Sequence, residues 1–369
     1  VPKVRNRVVK ILLVCALCFV GVEWINNPVT AAVDTLKVNS MEALSKQIYE
    51  SMLNRETVMT FTLKGSVSKE KLESALKEAI DTDSYLQFMV RQYSYQYRSS
   101  MLSSSITIYM EYRENTEQTA YVTRTVKSVL PTIIKPTMNA HEKVKAIHDW
   151  VVLHLAYDTT LKNDTAYQGL TEGTTVCQGY ALLTYKMLKE AGITNRIAEG
   201  TAGGQLHAWN LVYLDGKWYH LDTTWDDPIP DQKGKVSYSY YLRTDKQLKV
   251  DHQWTKVYPA ATQNYDVTVQ SLKKSDTARL DFYTQLETDL NYIYLSSENI
   301  VSSVNQLADR LKSAMKAGDT VVKVRYTRKA SLQEDLSKAL EKISGIQGIR
   351  YTYRDFENTG DILLEITFR

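Results

Sequence analysis

The sequence predicts an α+β fold, and three observations support it. Stretches with apolar residues at helical spacing alternate with short runs at strand spacing throughout the chain. The same order of helix and strand occurs near both ends. A tight Asp-Gly turn in the middle joins two alternating strands, the mark of an antiparallel hairpin.

In the first block Glu42–Met52 has helical spacing, Thr57–Leu63 alternates, and Ser68–Ile80 is helical again. Tyr93, Tyr95 and Tyr97 then alternate, and Ile106–Tyr112 completes the set as a strand. The last block repeats that order: helix at Leu307–Met315, strand at Thr320–Tyr326, helix at Ser331–Ile343, strands at Arg350–Tyr353 and Ile362–Phe368. Leu72, Ala75 and Leu76 correspond to Leu336, Ala339 and Leu340, so one small module is expected twice, flanking a central domain. Chance likeness of two amphipathic patterns is the competing reading. The alternating tyrosines either cover a sheet face or present a binding face for wall polymers or partner proteins.

The central block opens with a helix over Gln118–Ile134 that breaks at Lys135-Pro136. A second helix follows, with Asn139 as N-cap and Glu142 three residues later. The expected division is 1–32 as a leader, 33–116 as the first module, 117–262 as the central domain, and 263–369 as linker and second module.

The leader is set apart by composition. Lys3, Arg5, Arg7 and Lys10 precede an apolar run of 12 residues, Ile11–Val22, followed by small residues at Ala31 and Ala32. That is the pattern of a secretory signal peptide, and the run is shorter than the about 20 residues that span a bilayer. A retained signal anchor is the alternative. The expected address is therefore secreted or cell-surface, with peripheral association at the wall.

Without that segment the chain carries 41 basic and 41 acidic residues, so the formal charge of +3 does not mark a phosphate-binding surface. Nucleic acid is not an expected partner. With 43% hydrophobic and 24% charged residues, neither disorder nor a multispanning membrane protein fits. Cys15 and Cys18 fall in the leader, which leaves Cys177 as the last cysteine and no internal disulfide expected.

Cys177 stands in Thr174-Thr175-Val176-Cys177-Gln178-Gly179-Tyr180, just before a helical run that ends at Ala191-Gly192. A cysteine in the first turn of a helix meets the positive end of the helix dipole, which favours the nucleophilic thiolate. An inert core thiol is the bland reading.

The partner base comes from geometry. In His207-Ala208-Trp209-Asn210-Leu211-Val212-Tyr213-Leu214, the turn Asp215-Gly216 and Lys217-Trp218-Tyr219-His220-Leu221-Asp222, pairing Leu214 with Lys217 sets Trp209 opposite Asp222. His207 then lies diagonal to Asp222 on the same sheet face, within reach of a hydrogen bond. His220 shares that face two positions nearer the turn and is the weaker candidate. His141, His148 and His154 are read as solvated or capping, and His252 as structural. Asp226, Asp227 and Asp231 are read as a polar surface turn. Cys177, His207 and Asp222 are thus expected as nucleophile, base and orienter, the backbone N–H of Cys177 as one oxyanion donor, and Tyr157 and Gln178 as candidates for a second. Trp209 is a candidate substrate contact or cleft wall.

Residues from about Glu117 to Ala261 resemble the transglutaminase-like superfamily. The matching features are Cys177-Gln178-Gly179-Tyr180-Ala181, Ala191-Gly192-Ile193 with Arg196, His207-Ala208-Trp209-Asn210, Asp215-Gly216-Lys217-Trp218 and Leu221-Asp222-Thr223-Thr224-Trp225. Lys143, Asp149 and Tyr157-Asp158 resemble the helix before the nucleophile loop in bacterial members. Thr175-Val176 departs from the glycine that many members have near the nucleophile. The resemblance implies a papain-like α+β core and acyl-enzyme chemistry on amides, and a protein or cell-wall peptide is the expected substrate. It leaves open hydrolysis, acyl transfer, or a surface protein that has lost activity. No cofactor is expected, and no compact oxygen-ligand loop for calcium is present in the sequence.

Overall fold

The computed structural model describes residues 35–346, 348–357 and 359–368; the expected leader at 1–32, with Cys15 and Cys18, lies outside them. The chain divides into two compact units, Val1–Gln263 and Asn264–Arg369. Among the described residues no helix is long and apolar enough to cross a membrane.

The first unit begins with β1 (Thr35–Val38), α1 (Met41–Leu53), β2 (Val58–Lys64), α2 (Lys69–Asp81), α3 (Ser84–Met89), β3 (Val90–Ser99) and β4 (Ser103–Tyr112). The sheet order is β1-β2-β4-β3, with β1 parallel to β2 and the other pairs antiparallel. On α2, Leu72, Ala75, Leu76, Ala79 and Ile80 recur every three or four positions and are buried against Phe61, Leu63, Ile106 and Ile108. Each such large apolar side chain contributes roughly 1.5–3 kcal/mol. Tyr93, Tyr95 and Tyr97 pack partly buried against this core, and Tyr95 donates to Glu73 at 2.8 Å. Here the tyrosines cover a sheet face.

The central part follows as α4 (Thr116–Ile133), α5 (Ala140–His154), β5 (Ala156–Tyr157), α6 (Ala166–Glu172), β6 (Thr174–Thr175), α7 (Cys177–Glu190), β7 (Asn195–Ala202), β8 (Gln205–Leu214), β9 (Lys217–Leu221), α8 (Asp245–Leu248) and β10 (His252–Gln253). Asn115 and Asn139 open α4 and α5 with reciprocal capping boxes. The sheet runs β10-β7-β8-β9, all antiparallel. This is an α+β core with a helix, α7, laid on a sheet. It forms one unit with the preceding module. Gln178 Nε2 donates to the Phe88 carbonyl at 3.1 Å, Arg55 Nη2 donates to Thr119 Oγ1 at 3.0 Å, and Arg113 pairs with Asp164.

The second unit comprises α9 (Tyr265–Ser275), α10 (Leu280–Asp289), β11 (Ile300–Val301), α11 (Val304–Ala317), β12 (Val321–Tyr326), α12 (Leu332–Leu340), β13 (Ile349–Asp355) and β14 (Ile362–Phe368). Its sheet order, β11-β12-β14-β13, has one parallel pair followed by antiparallel pairs, the same sense as in the first sheet. Leu336 and Ala339 are buried in its core. On β13, in contrast to β3, Tyr351 and Tyr353 are exposed. The stretch expected as a linker holds two helices, α9 burying Tyr265 and Val269 and α10 burying Tyr283 and Leu286.

Candidate active site

Cys177 is the first residue of α7 and is fully buried. The helix start has no side-chain cap: Val176 occupies the N-cap in extended conformation, and its carbonyl accepts from Gly179 at 2.9 Å and Tyr180 at 3.3 Å. The approach is rigidly built. Gly173 (φ 71°) ends α6 in the left-handed region, and β6 pairs with β5 so that Thr175 faces Tyr157. Thr175 Oγ1 donates to the Asn163 carbonyl at 3.0 Å. A Cβ on Gly179 would lie 1.9 Å from Thr175 Oγ1 and 2.8 Å from the Thr165 carbonyl oxygen, so glycine is required where the loop crosses the helix. The loop departs from the glycine expected near the nucleophile, and the close approach falls at Gly179 instead.

Asp158 holds the other side of this loop. Burial pushes its carboxyl up, but donors from Thr160, Asn163 and Lys162 outweigh that and bring it down to about 2.

The hairpin has the expected register. Asp215 (φ 48°) and Gly216 (φ 81°) make the turn, and Leu214 pairs with Lys217. Pairing ends at Asn210–Leu221, one step short of the Trp209–Asp222 pair that counting back gives. Asp222 turns into the interior, where His207 Nε2 meets its Oδ2 at 2.6 Å. Asp222 Oδ1 accepts the N–H groups of Thr224 at 3.0 Å and Trp225 at 3.1 Å.

A third partner was missed in the sequence. His252 Nε2 lies 3.0 Å from the same Asp222 Oδ2, and its Nδ1 lies 2.6 Å from Asp251 Oδ1. Burial pushes His252 down, yet the two carboxylates prevail and raise it to about 9. It is an imidazolium at neutral pH. Burial likewise pushes Asp222 up, and the two imidazoles overcome it and hold the carboxyl well below its usual range. An ionised carboxylate only accepts, so His207 Nε2 donates to it. That fixes the tautomer and leaves Nδ1 as the basic nitrogen. His207 Nδ1 is buried and has no hydrogen-bond partner among the described residues.

The helix and the hairpin are joined by polar contacts on buried side chains. Asn210 Nδ2 donates to the Ala181 carbonyl at 3.1 Å, the hydroxyls of Thr184 and Thr223 meet at 3.1 Å, and Tyr180 donates to Asp227. The strand carrying His207 is thereby packed on the helix that begins at Cys177.

The secondary candidates separate. The Tyr157 hydroxyl is buried without a partner among the described residues and its strand borders the nucleophile loop, which keeps it available as a donor. Gln178 is committed to the Phe88 carbonyl and braces the nucleophile helix against the first module. Trp209 stacks on His207 (centroids 5.9 Å, 15°) while its indole N–H goes to His220 Nδ1 at 2.9 Å. It is the floor under the imidazole. His220 is spent in that relay, bonded onward to Asp245 at 2.8 Å.

Several other sequence expectations are corrected. His148 is fully buried between Asp149 (3.0 Å) and Asp226 (3.1 Å), and His141 is buried against Asp215 (2.9 Å). Only His154 among these three is exposed. Asp226 and Asp227 are buried, not surface residues, and form a hydrogen-bonded corner behind Trp225. A cavity of about 360 Å³ opens beside it, lined by Thr224, Trp225, Asp227, Pro228, Ile229 and Ser237. Burial pushes the Asp227 carboxyl up to about 6.

His207, Asp222 and His252 present ligand atoms within 4.8 Å of one another, the spacing of a metal site. Both imidazoles, however, direct Nε2 at one carboxylate oxygen, and His252 is held protonated. Two ring nitrogens converging on one carboxylate oxygen are arranged as a hydrogen-bonded array.

Residues 127–223 match the family model described as the transglutaminase-like superfamily, and the chain carries a transglutaminase-like core. Kyphoscoliosis peptidase of Mus musculus is 31% identical over 129 residues, covering 29% of this chain and 20% of that protein; the Homo sapiens protein gives the same figures. The match thus spans about a fifth of the length of those relatives. A solved TGase structure aligns over 52% of this chain and 60% of its own, at 14% identity and a TM-score of 0.28.

Proposed function

We propose that this chain is an exported thiol enzyme acting on amide bonds of a protein or cell-wall peptide, through Cys177, His207 and Asp222. The observation that carries the reading is the 2.6 Å contact between His207 Nε2 and Asp222, with Nδ1 buried and unpartnered. A histidine so held has one nitrogen anchored and the other free to take a proton.

His207 Nδ1 takes the Cys177 proton, and the thiolate attacks the amide carbonyl carbon. The carbonyl π electrons move to oxygen, and the backbone N–H of Cys177 and the Tyr157 hydroxyl are the proposed donors to that oxyanion. Collapse breaks the C–N bond. His207 returns its proton to the leaving amine and a thioester remains on Cys177. Water or a second amine then gives up a proton to His207 and attacks the thioester, which restores the thiol. The reaction calls for no cofactor. The basic n-region and 12-residue apolar run at the start of the sequence support export.

A second reading is favoured by one observation: Cys177 is fully buried, as in a surface protein that keeps the fold without the chemistry. Alkylation separates the two. After reduction, iodoacetamide should label Cys177 well below the pH of an ordinary thiol, whose pKa is about 8.5, and His207→Ala should slow that labelling. Labelling that rises only at alkaline pH, alike in both proteins, would establish the inactive reading.

A further inference from the structure

A second cavity, of about 470 Å³, lies where the first module meets the core. Four basic side chains line it, Arg55, Arg124, Lys186 and Lys189, and one carboxylate, Asp83. The carboxylate is already engaged. Its Oδ1 caps α3 by accepting from Tyr85 at 2.8 Å and Leu86 at 3.0 Å, and its Oδ2 takes Lys189 at 3.2 Å. Beneath the wall, Glu114 is likewise occupied by Tyr85 (2.8 Å), Thr119 (3.1 Å) and the Tyr167 N–H (3.0 Å).

Arg55 and Lys186 make their direct contacts with neutral groups. Arg55 donates to the carbonyls of Glu114 (3.2 Å) and Met52 (2.8 Å) and to Thr119 Oγ1 (3.0 Å). That leaves two of the five guanidinium donors. Lys186 Nζ lies 4.2 Å above the centre of the Tyr85 ring and pairs with no carboxylate among the described residues. Burial lowers the pKa of both groups, and the attraction of Asp83 and Glu114 offsets it only in part. Arg124 and Lys189 are exposed at the mouth.

We infer that this cavity is a binding site for an oxyanion, a phosphate or carboxylate group, held by Lys186 and Arg55 and guided in by Arg124 and Lys189. The rings of Tyr85 and Tyr185 on its wall suit a ligand with a planar or apolar body behind the charge. The inference does not depend on the chemistry assigned to Cys177.

Isothermal titration of the full chain at low salt with inorganic phosphate, phenyl phosphate and citrate tests it. The expected result is one-to-one binding of at least one of the three, weakening as sodium chloride rises, and the strongest binder distinguishes phosphate from carboxylate chemistry. Lys186→Met should weaken that binding at least tenfold, yet raise the melting temperature of the ligand-free protein, because a half-buried cation crowded by Arg55 and Lys189 is removed. Arg124→Gln, at an exposed site, should weaken binding without altering melting, and decides the matter if the Lys186 variant does not fold. No binding tighter than about 1 mM by any probe, or binding unchanged by both substitutions, would overturn the assignment. So would a lower melting temperature for Lys186→Met, which would make Lys186 a structural cation on Tyr85.

Discussion

At the residue scale the site is a chain of commitments that leaves His207 Nδ1 open. Trp209 and Asp222 fix the ring from below and behind, and His252 shares the carboxylate. Removing the base, His207→Ala, should lower kcat/KM on a peptide substrate by about 10²–10⁴-fold while circular dichroism stays unchanged. An unchanged rate would rule out the role. His252 makes a pH prediction. Its folded value of about 9 lies above its ordinary 6.5, so folding favours the bound proton. Its stabilisation is complete below pH 6.5 and is lost as pH rises through 9. Asp222 is held low and works in the opposite window, contributing above about pH 4 and failing below it. The melting temperature should therefore fall between pH 7 and 9, and His252→Gln should flatten that fall. Calorimetric scans with equal slopes for both proteins would contradict the assignment. The His207–Asp222 pair was legible because a two-residue turn fixes register over a short distance. His252 was not, since it reaches Asp222 from a two-residue strand, β10, added at the far edge of the sheet.

At the element scale, α7 is positioned by what its first turn touches. Gly179→Ala would drive a methyl into Thr175 and the Thr165 carbonyl, and should cost about 1–3 kcal/mol in urea unfolding. Wild-type stability would mean that the loop tolerates what its geometry forbids. Gln178→Leu leaves the Phe88 carbonyl without its donor, a loss of about 1–3 kcal/mol. If Gln178 is a brace and not an oxyanion donor, the same variant keeps a near-normal kcat at temperatures where it is folded. A drop of 10²-fold or more would restore Gln178 to the oxyanion site. Periodicity disclosed the longer amphipathic helices and strands, α1, α2 and α12 among them, because burial repeats along them. It did not disclose β1, α3 and β11, which are too short to show a period. Nor did it disclose that Asp226 and Asp227 are buried. A carboxylate reads as surface until the hydroxyl or imidazole that satisfies it is known, and here those partners, Tyr180 and His148, lie 47 and 78 positions away.

At the scale of the whole molecule, the first module and the core belong to one unit, whereas the sequence suggested a boundary near residue 116. The composition of Arg113–Asn115 is polar and looks like a joint, but Arg113 and Glu114 are drawn inward by contacts with Asp164, Tyr85 and Tyr167. Limited proteolysis should cut near Gln263–Asn264 and spare the segment around residue 115; early cleavage at 115 would show two independent domains there instead. The central claim rests on a thioester forming at Cys177. The most direct test is intact-protein mass spectrometry after the reduced protein is mixed with an activated acyl substrate and quenched in acid. A stoichiometric acyl adduct mapped to Cys177, accumulating in wild type and nearly absent in His207→Ala, is the predicted result. No adduct on fully reduced protein, or equal adduct in both proteins, would contradict it.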